Sequence, residues 1–290
     1  MSSPEPRTCY RHPDRETGLS CSECGRPVCA DCATFAAVGI RCPEHAGGRN
    51  PVASRIRPRP VRRAPGVALA SGSAPVTRIL IAINVAVYLL TAAQGGGLNA
   101  PGGALFDKMI LYGPWVAQGG WWRLVSAMFL HANILHIGFN MLALYVIGTP
   151  VEQYLGRVRY VGLYLVSGLA GSAGGLLQAP DTPILGASGA IFGILGAMLI
   201  LEWQLTGRLA GNAMTWIVIN LAISFTIPNI SWGGHVGGLI GGILVTLAYA
   251  GWREHGRAAY GHLGLGGVLG LVLVAAGSIA IAYWQVRGYA

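Results

Sequence analysis

Charge is what this chain has least of. Of its 290 residues only 11% are Asp, Glu, Lys or Arg, against about 25% in an ordinary soluble domain. Set beside 53% hydrophobic residues and a mean hydropathy of +0.51, that scarcity excludes a disordered chain and argues against a soluble globular enzyme. Cysteine is absent after position 42, which confines thiol chemistry to the first 42 residues. Glycine runs the other way, at 44 residues, roughly twice average usage. A polytopic, all-α membrane protein is the class these figures leave.

The few charges are unevenly placed. Residues 1 to 78 hold 12 Arg and 6 acids, more than half of all the charge. This basic excess adjoins the first hydrophobic stretch, where anionic headgroups account for it. No base-reading module follows it, so nucleic acid is not an expected partner.

The six cysteines form a pattern with two histidines: Cys9-x2-His12, Cys21-x2-Cys24, Cys29-x2-Cys32 and Cys42-x2-His45. A two-residue gap lets both ligands of a pair face one tetrahedral ion from a tight turn, and eight ligands supply two closed Zn2+ sites. A disulfide framework would leave His12 and His45 unexplained, and no apolar signal peptide precedes the segment. Closed sites of this kind are structural, so the expectation is a small binding module over residues 1–48, with a protein as its partner and no hydrolytic role. Residues 49–75 interleave Arg55, Arg57, Arg59, Arg62 and Arg63 with Pro58, Pro60 and Pro65. That composition predicts a semi-extended linker lying against the cytoplasmic leaflet.

From Val76 onward, apolar runs of spanning length recur at about 76–93, 133–151, 159–178, 186–202, 211–227, 234–251 and 263–285. Seven spans are predicted. Arg157, Arg159, Arg208, Arg253 and Arg257 follow the second, fourth and sixth spans. On the positive-inside rule they put the N-terminus in the cytoplasm and the C-terminus outside, in a multi-pass protein of the cell membrane. The first external loop, about 94–132, is too long for a mere connection.

Strongly polar side chains inside spans mark functional candidates. The second span opens with His131, His136 and Asn140, and the four-residue spacing puts His136 and Asn140 on one face. The fourth opens with Gly186-Ala187-Ser188-Gly189 and the sixth with Gly234-His235. All three spans run from outside to inside, so these residues share one layer. A nucleophile, a base and two hydrogen-bond donors at one depth is the set that acyl transfer needs. Gly189, Gly193 and Gly196 on one helix, and Gly238 and Gly242 on the other, would let the two backbones close up. The serine does not sit in a G-x-S-x-G elbow, so the soluble hydrolase fold lends no support.

Together these residues are recognisable. The chain from 76 to 252 resembles the rhomboid family of intramembrane serine proteases. The likeness rests on Trp122-Arg123, His131-x4-His136-x3-Asn140-Met141, Glu152-Gln153-Tyr154-Leu155-Gly156, Gly186-Ala187-Ser188-Gly189 and His235-x2-Gly238-x3-Gly242. It implies a six-helix catalytic core with a seventh helix added over 253–290. It also implies a Ser188–His235 dyad without a carboxylate or catalytic cofactor, an oxyanion held by Asn140, His136 and the Ser188 backbone N–H, and membrane-spanning protein substrates, single- or multi-span, cut near the outer face of the bilayer. The acids beyond the linker, Asp107, Glu152, Asp181, Glu202 and Glu254, stand outside the catalytic layer. Phe192 occupies a position that is often Tyr in the family; its ring can pack on His235, but no phenol is there to orient it. The N-terminal ligand order resembles B-box-type cross-braced fingers, which implies Cys9, His12, Cys29 and Cys32 on one ion and Cys21, Cys24, Cys42 and His45 on the other. The alternative is a catalytically silent rhomboid-like chaperone that binds helices.

Overall fold

The computed structural model describes residues 7–36, 39–46, 73–228, 230–252, 258–260 and 263–289. The linker arginines from Arg55 to Arg63, and Arg253, Glu254 and Arg257, lie outside them. The chain forms two units.

The first unit is built on two short antiparallel hairpins. Strands β1 (Thr8–Cys9) and β2 (His12–Glu16) pair with Cys9 opposite His12. Strands β3 (Thr34–Phe35) and β4 (Ile40–Arg41) pair in the same sense. The buried cluster is Val28 together with Cys9, Cys21, Cys29, Cys32 and Cys42. A segment this small cannot bury enough apolar surface to fold on that alone, and its interior is made largely of cysteine side chains.

The second unit is helical. It runs through α1 (Pro75–Gln94), the short helices α2 (Gly103–Met109), α3 (Gly113–Ala117) and α4 (Arg123–Ser126), and α5 (Ile134–Ala143). A π-type turn at Leu144–Gly148 then joins α5 to α6 (Thr149–Leu155). The long helices α7 (Arg157–Gln178), α8 (Ser188–Thr206), α9 (Asn212–Thr226) and α10 (Trp232–Tyr249) follow. A minimal hairpin of β5 (Gly251–Trp252) and β6 (Ala258–Ala259) precedes α11 (Leu265–Val286). Among the described residues, six apolar helical runs are long enough to cross a bilayer, and α9, at 15 residues, is a shorter apolar helix. Between their ends, helices satisfy the backbone groups within the segment, which hydrocarbon demands. The protein is therefore a multi-pass integral membrane protein. Its outward faces carry what water would not tolerate, such as Val268, Leu269, Val272 and Leu273 on α11.

The second span continues to Leu155, past the end expected near 151, and so takes in Glu152. That carboxylate is buried and accepts hydrogen bonds from the backbone N–H groups of Val76 (3.0 Å) and Thr77 (2.7 Å) and from the Thr77 hydroxyl (2.7 Å). The first N–H groups of a helix have no acceptor within it, so Glu152 caps α1 and ties the first two spans together. Arg159, expected to carry loop charge, lies buried in the first turn of α7 and donates to the Leu155 carbonyl at 3.2 Å. A helix C-terminus favours a cation in that place.

The long loop before the second span is stapled by Trp122 and Arg123. Arg123 donates to the carbonyls of Asp107 (2.5 Å) and Ile110 (2.9 Å), and its guanidinium stacks over Trp115 at 4.7 Å. Trp122 Nε1 donates to the Lys108 carbonyl at 2.8 Å.

Glycine sets the helix spacing in the centre. A Cβ at Gly238 would overlap the Gly189 carbonyl, and one at Gly242 the Gly193 carbonyl, so α8 and α10 touch backbone to backbone. Helix α7 joins them: a Cβ at Gly171 would lie 2.9 Å from the Gly234 carbonyl oxygen, and one at Gly174 would overlap that of Gly233. Helix α11 packs on the α7–α10 side, with Leu271 facing Gly162 and Gly270 against Ala248.

Candidate active site

Helix α8 begins at Ser188, directly after a turn in which Gly186 has φ +123°, a conformation that side chains resist. The Gly186 N–H bonds to the Ala127 carbonyl at 3.0 Å and fixes the turn. As the first helical residue, Ser188 has a backbone N–H with no acceptor in its own helix. Helix α10 is capped by Ser231, whose hydroxyl accepts from the Gly234 N–H at 3.1 Å, and His235 lies in its first turn. The ring nitrogen Nε2 of His235 stands 2.8 Å from Ser188 Oγ, across 47 residues of chain. Phe192, one turn after Ser188, stacks on the imidazole with centroids 4.2 Å apart and planes within 15°.

Helix α5 faces the same space. Asn133 caps it by accepting from the His136 N–H at 2.9 Å. The Ala132 N–H points at His136 Nδ1, 3.4 Å away; Nδ1 then acts as acceptor and Nε2 carries the ring proton. A Cβ placed at Gly186 would lie 2.8 Å from that Nε2 and 3.7 Å from Ser188 Oγ. His136 and Ser188 therefore flank one gap, kept open because residue 186 has no side chain. Asn140 follows one turn later on the same helix and is buried. His131, also buried, stands off this line with its ring edge-on to His136 at 5.0 Å. Three carboxylates among the described residues have partners elsewhere: Glu152 at the start of α1, Glu202 accepting from the Ala213 N–H at 3.0 Å, and Asp181 near Tyr289 Oη at 3.3 Å.

An alcohol beside an imidazole, with N–H groups gathered at a helix start, can attack a carbonyl and hold the resulting oxyanion. A rhomboid domain match covers residues 118–252. The rhomboid protease GluP of Bacillus subtilis (strain 168) is 36% identical over 197 residues, 64% of this chain. RHOMBOID-like protein 7 of Arabidopsis thaliana is 35% identical over 156 residues, 51% of this chain. The rhomboid-family protein YdcA of Bacillus subtilis (strain 168) is 32% identical over 178 residues, 59% of this chain, and the match covers 87% of YdcA. The chain belongs to the rhomboid family. It spans 37% of the length of GluP and 50% of RHOMBOID-like protein 7.

This rhomboid carries two further clusters in its N-terminal unit. Cys9, His12, Cys29 and Cys32 bring one ligand atom each to a common point, and Cys21, Cys24, Cys42 and His45 do the same. The Cys29 and Cys32 sulfurs lie 3.4 Å from His12 Nδ1, and Cys9 Sγ lies 3.9 Å from it. In the second cluster Cys42 and Cys21 Sγ are 3.1 and 3.9 Å from His45 Nδ1, and Cys24 Sγ is 3.8 Å from Cys42 Sγ. Ligands on a tetrahedral zinc stand about 3.6 Å apart for sulfur and nitrogen and about 3.8 Å apart for two sulfurs. All six cysteines are free of disulfides, so both clusters fit a metal ion.

Residue-by-residue reading of the sequence missed two features of the rhomboid site. The glycines of α7 have the same small-residue signature as those of α8 and α10 and could have been found by it. Ser224 on α9 could not: its hydroxyl stands 2.6 Å from His235 Nδ1, and a serine in an apolar helix gives no sign of a partner on another helix.

Proposed function

We propose that this rhomboid is an intramembrane serine endopeptidase that cleaves transmembrane segments of other proteins. The carrying observation is the 2.8 Å approach of His235 Nε2 to Ser188 Oγ in a layer where spans two, four and six begin. His235 takes the Ser188 proton as the oxygen attacks the scissile carbonyl. The oxyanion is received by the Ser188 backbone N–H, the His136 ring and the Asn140 amide, with the positive end of the α8 dipole facing it. The tetrahedral adduct then collapses, the C–N bond breaks as His235 passes its proton to the departing amine, and a water that gives up a proton to His235 hydrolyses the acyl-enzyme and frees Ser188. Substrate helices must unwind at the cut, because a helical peptide bond is internally bonded and shielded; Gly or Pro near the outer interface therefore favours cleavage. The N-terminus and the site orientation follow the arginine distribution: the N-terminus cytoplasmic, the site toward the outer face of the cell membrane.

The test is covalent labelling by a serine-directed fluorophosphonate in membranes. Wild type is expected to label at Ser188 and His235→Ala to lose the label. A chain that folds yet never labels would instead fit a helix-binding rhomboid without catalysis. Asn140→Ala is expected to lower the cleavage rate of a single-span reporter by about 10²- to 10³-fold, the usual cost of one oxyanion donor. An unchanged rate would remove Asn140 from the mechanism.

The N-terminal clusters are read as two structural Zn2+ sites that fold a small protein-binding module over residues 1–48, ahead of the linker at 49–75, the six-helix core at 76–252 and the seventh helix. Elemental analysis of the full chain is expected to find about two zinc ions per molecule, and Cys29→Ser about one. A folded, metal-free chain would overturn this.

A further inference from the structure

Ser188 occupies one nitrogen of His235, and the other is not idle. Nδ1 stands 2.6 Å from the hydroxyl of Ser224, a buried residue of α9. The same hydroxyl lies 2.6 Å from the Asn220 carbonyl one turn back, and donates to it. A serine hydroxyl has a single proton, and a carbonyl can only accept. With that proton committed to Asn220, the Ser224 oxygen presents lone pairs to His235. Nδ1 must then carry the ring proton, which leaves the lone pair of Nε2 directed at Ser188 Oγ.

We propose that Ser224 is a positioning residue that holds His235 in its Nδ1–H tautomer, the neutral form able to take a proton from Ser188. This deepens the proposed Ser188–His235 reading and rests on it. Phe192 fixes the plane of the ring by stacking, but a phenyl face is equivalent for both tautomers and cannot choose between them. The hydroxyl can. It also gains strength during the reaction: as Nε2 takes the Ser188 proton, the Nδ1–H bond to Ser224 becomes charge-assisted. Carboxylates perform this service in Ser-His-Asp sites; here a neutral oxygen whose own proton is tied to its helix does so. Ser224 is not a rival nucleophile, because its proton is engaged with Asn220 and it is only 3% exposed.

Thr and Val differ at this position by hydroxyl against methyl in the same branched shape, and a helical Thr can still donate one turn back. In the full chain labelled with 15N-histidine, with His235 identified by comparison with His235→Gln, ring nitrogen NMR is expected to show a protonated Nδ1 in wild type and Ser224→Thr. Ser224→Val should show a mixture or the Nε2–H form. On a single-span reporter, Ser224→Val should lower kcat by about 10²-fold with KM unchanged, within the range general base catalysis supplies, and Ser224→Thr should recover most of it. A wild-type tautomer and kcat in Ser224→Val, or equal losses in Thr and Val, would overturn the proposal. Cleavage by Ser188→Ala at the wild-type rate would sink the protease reading instead, and the tautomer measurement, which needs no activity, would still decide what Ser224 does to His235.

Discussion

Ser188→Ala is expected to abolish cleavage of a single-span reporter reconstituted with the protein in liposomes, by at least about 10⁴-fold. Removing the nucleophile of a serine protease forfeits the covalent route altogether and leaves only binding and oxyanion stabilisation. The substitution deletes one oxygen from the first turn of α8, in a half-exposed position, so folding should be untouched. His235 would lose its 2.8 Å partner while keeping Phe192 and Ser224. The measurement is product formed over time beside wild type, with thermal unfolding followed in parallel. Equal cleavage by the two proteins at equal stability would place the nucleophile elsewhere.

The second large effect is mechanical. A Cβ at Gly238 would overlap the carbonyl oxygen of Gly189, so Gly238→Ala must push α10 away from α8. Gly238 is one turn after His235, and Gly189 is the residue next to Ser188, so the separation falls on the proposed dyad. Displacing a reacting group by about 1 Å can cost about 10²-fold, and overpacking a tight interior costs about 1–3 kcal/mol. Gly238→Ala is therefore expected to lose at least that much activity together with a lowered unfolding temperature. The control is Gly277→Ala on α11, where an added Cβ meets nothing within 4 Å. It changes composition in the same way and should leave both quantities near wild type. Similar losses in the two variants would show that helix spacing at Gly238 is not what matters.

Much of the architecture was legible because hydrocarbon permits so few solutions. An apolar run near 20 residues bounded by turns can do little but cross as a helix, and each expected span has its counterpart in the fold. The boundaries slipped where a charge was thought to end a helix. Glu152 belongs inside the second span because the start of α1 satisfies its carboxylate, and Arg159 belongs inside α7 because a helix end accepts its guanidinium. Neither partner adjoins the charge in sequence, so hydropathy ends the second span before Glu152, and the charge count treats Arg159 as a loop residue although the third apolar run begins at it.

The site divides in the same way. Spacing along the chain singles out the eight N-terminal candidate ligands, and helical periodicity puts His136 and Asn140 on one face, because both are local properties of the backbone. Positive-inside charge and parity of the spans bring Ser188, His235 and His136 to one layer without any coordinates. What the chain order could not contain is contact across helices. That Gly171 and Gly174 of α7 complete the close-packed centre, that Gly186 leaves the gap shared by His136 and Ser188, and that Ser224 reaches His235 Nδ1 all depend on how the helices rotate and pack about one another. Low charge determined that this protein lives in a membrane and folds as helices; only tertiary packing decided which hydroxyl faces which nitrogen, because a hydrogen bond is made over about 3 Å and its direction is set by helices far apart in sequence.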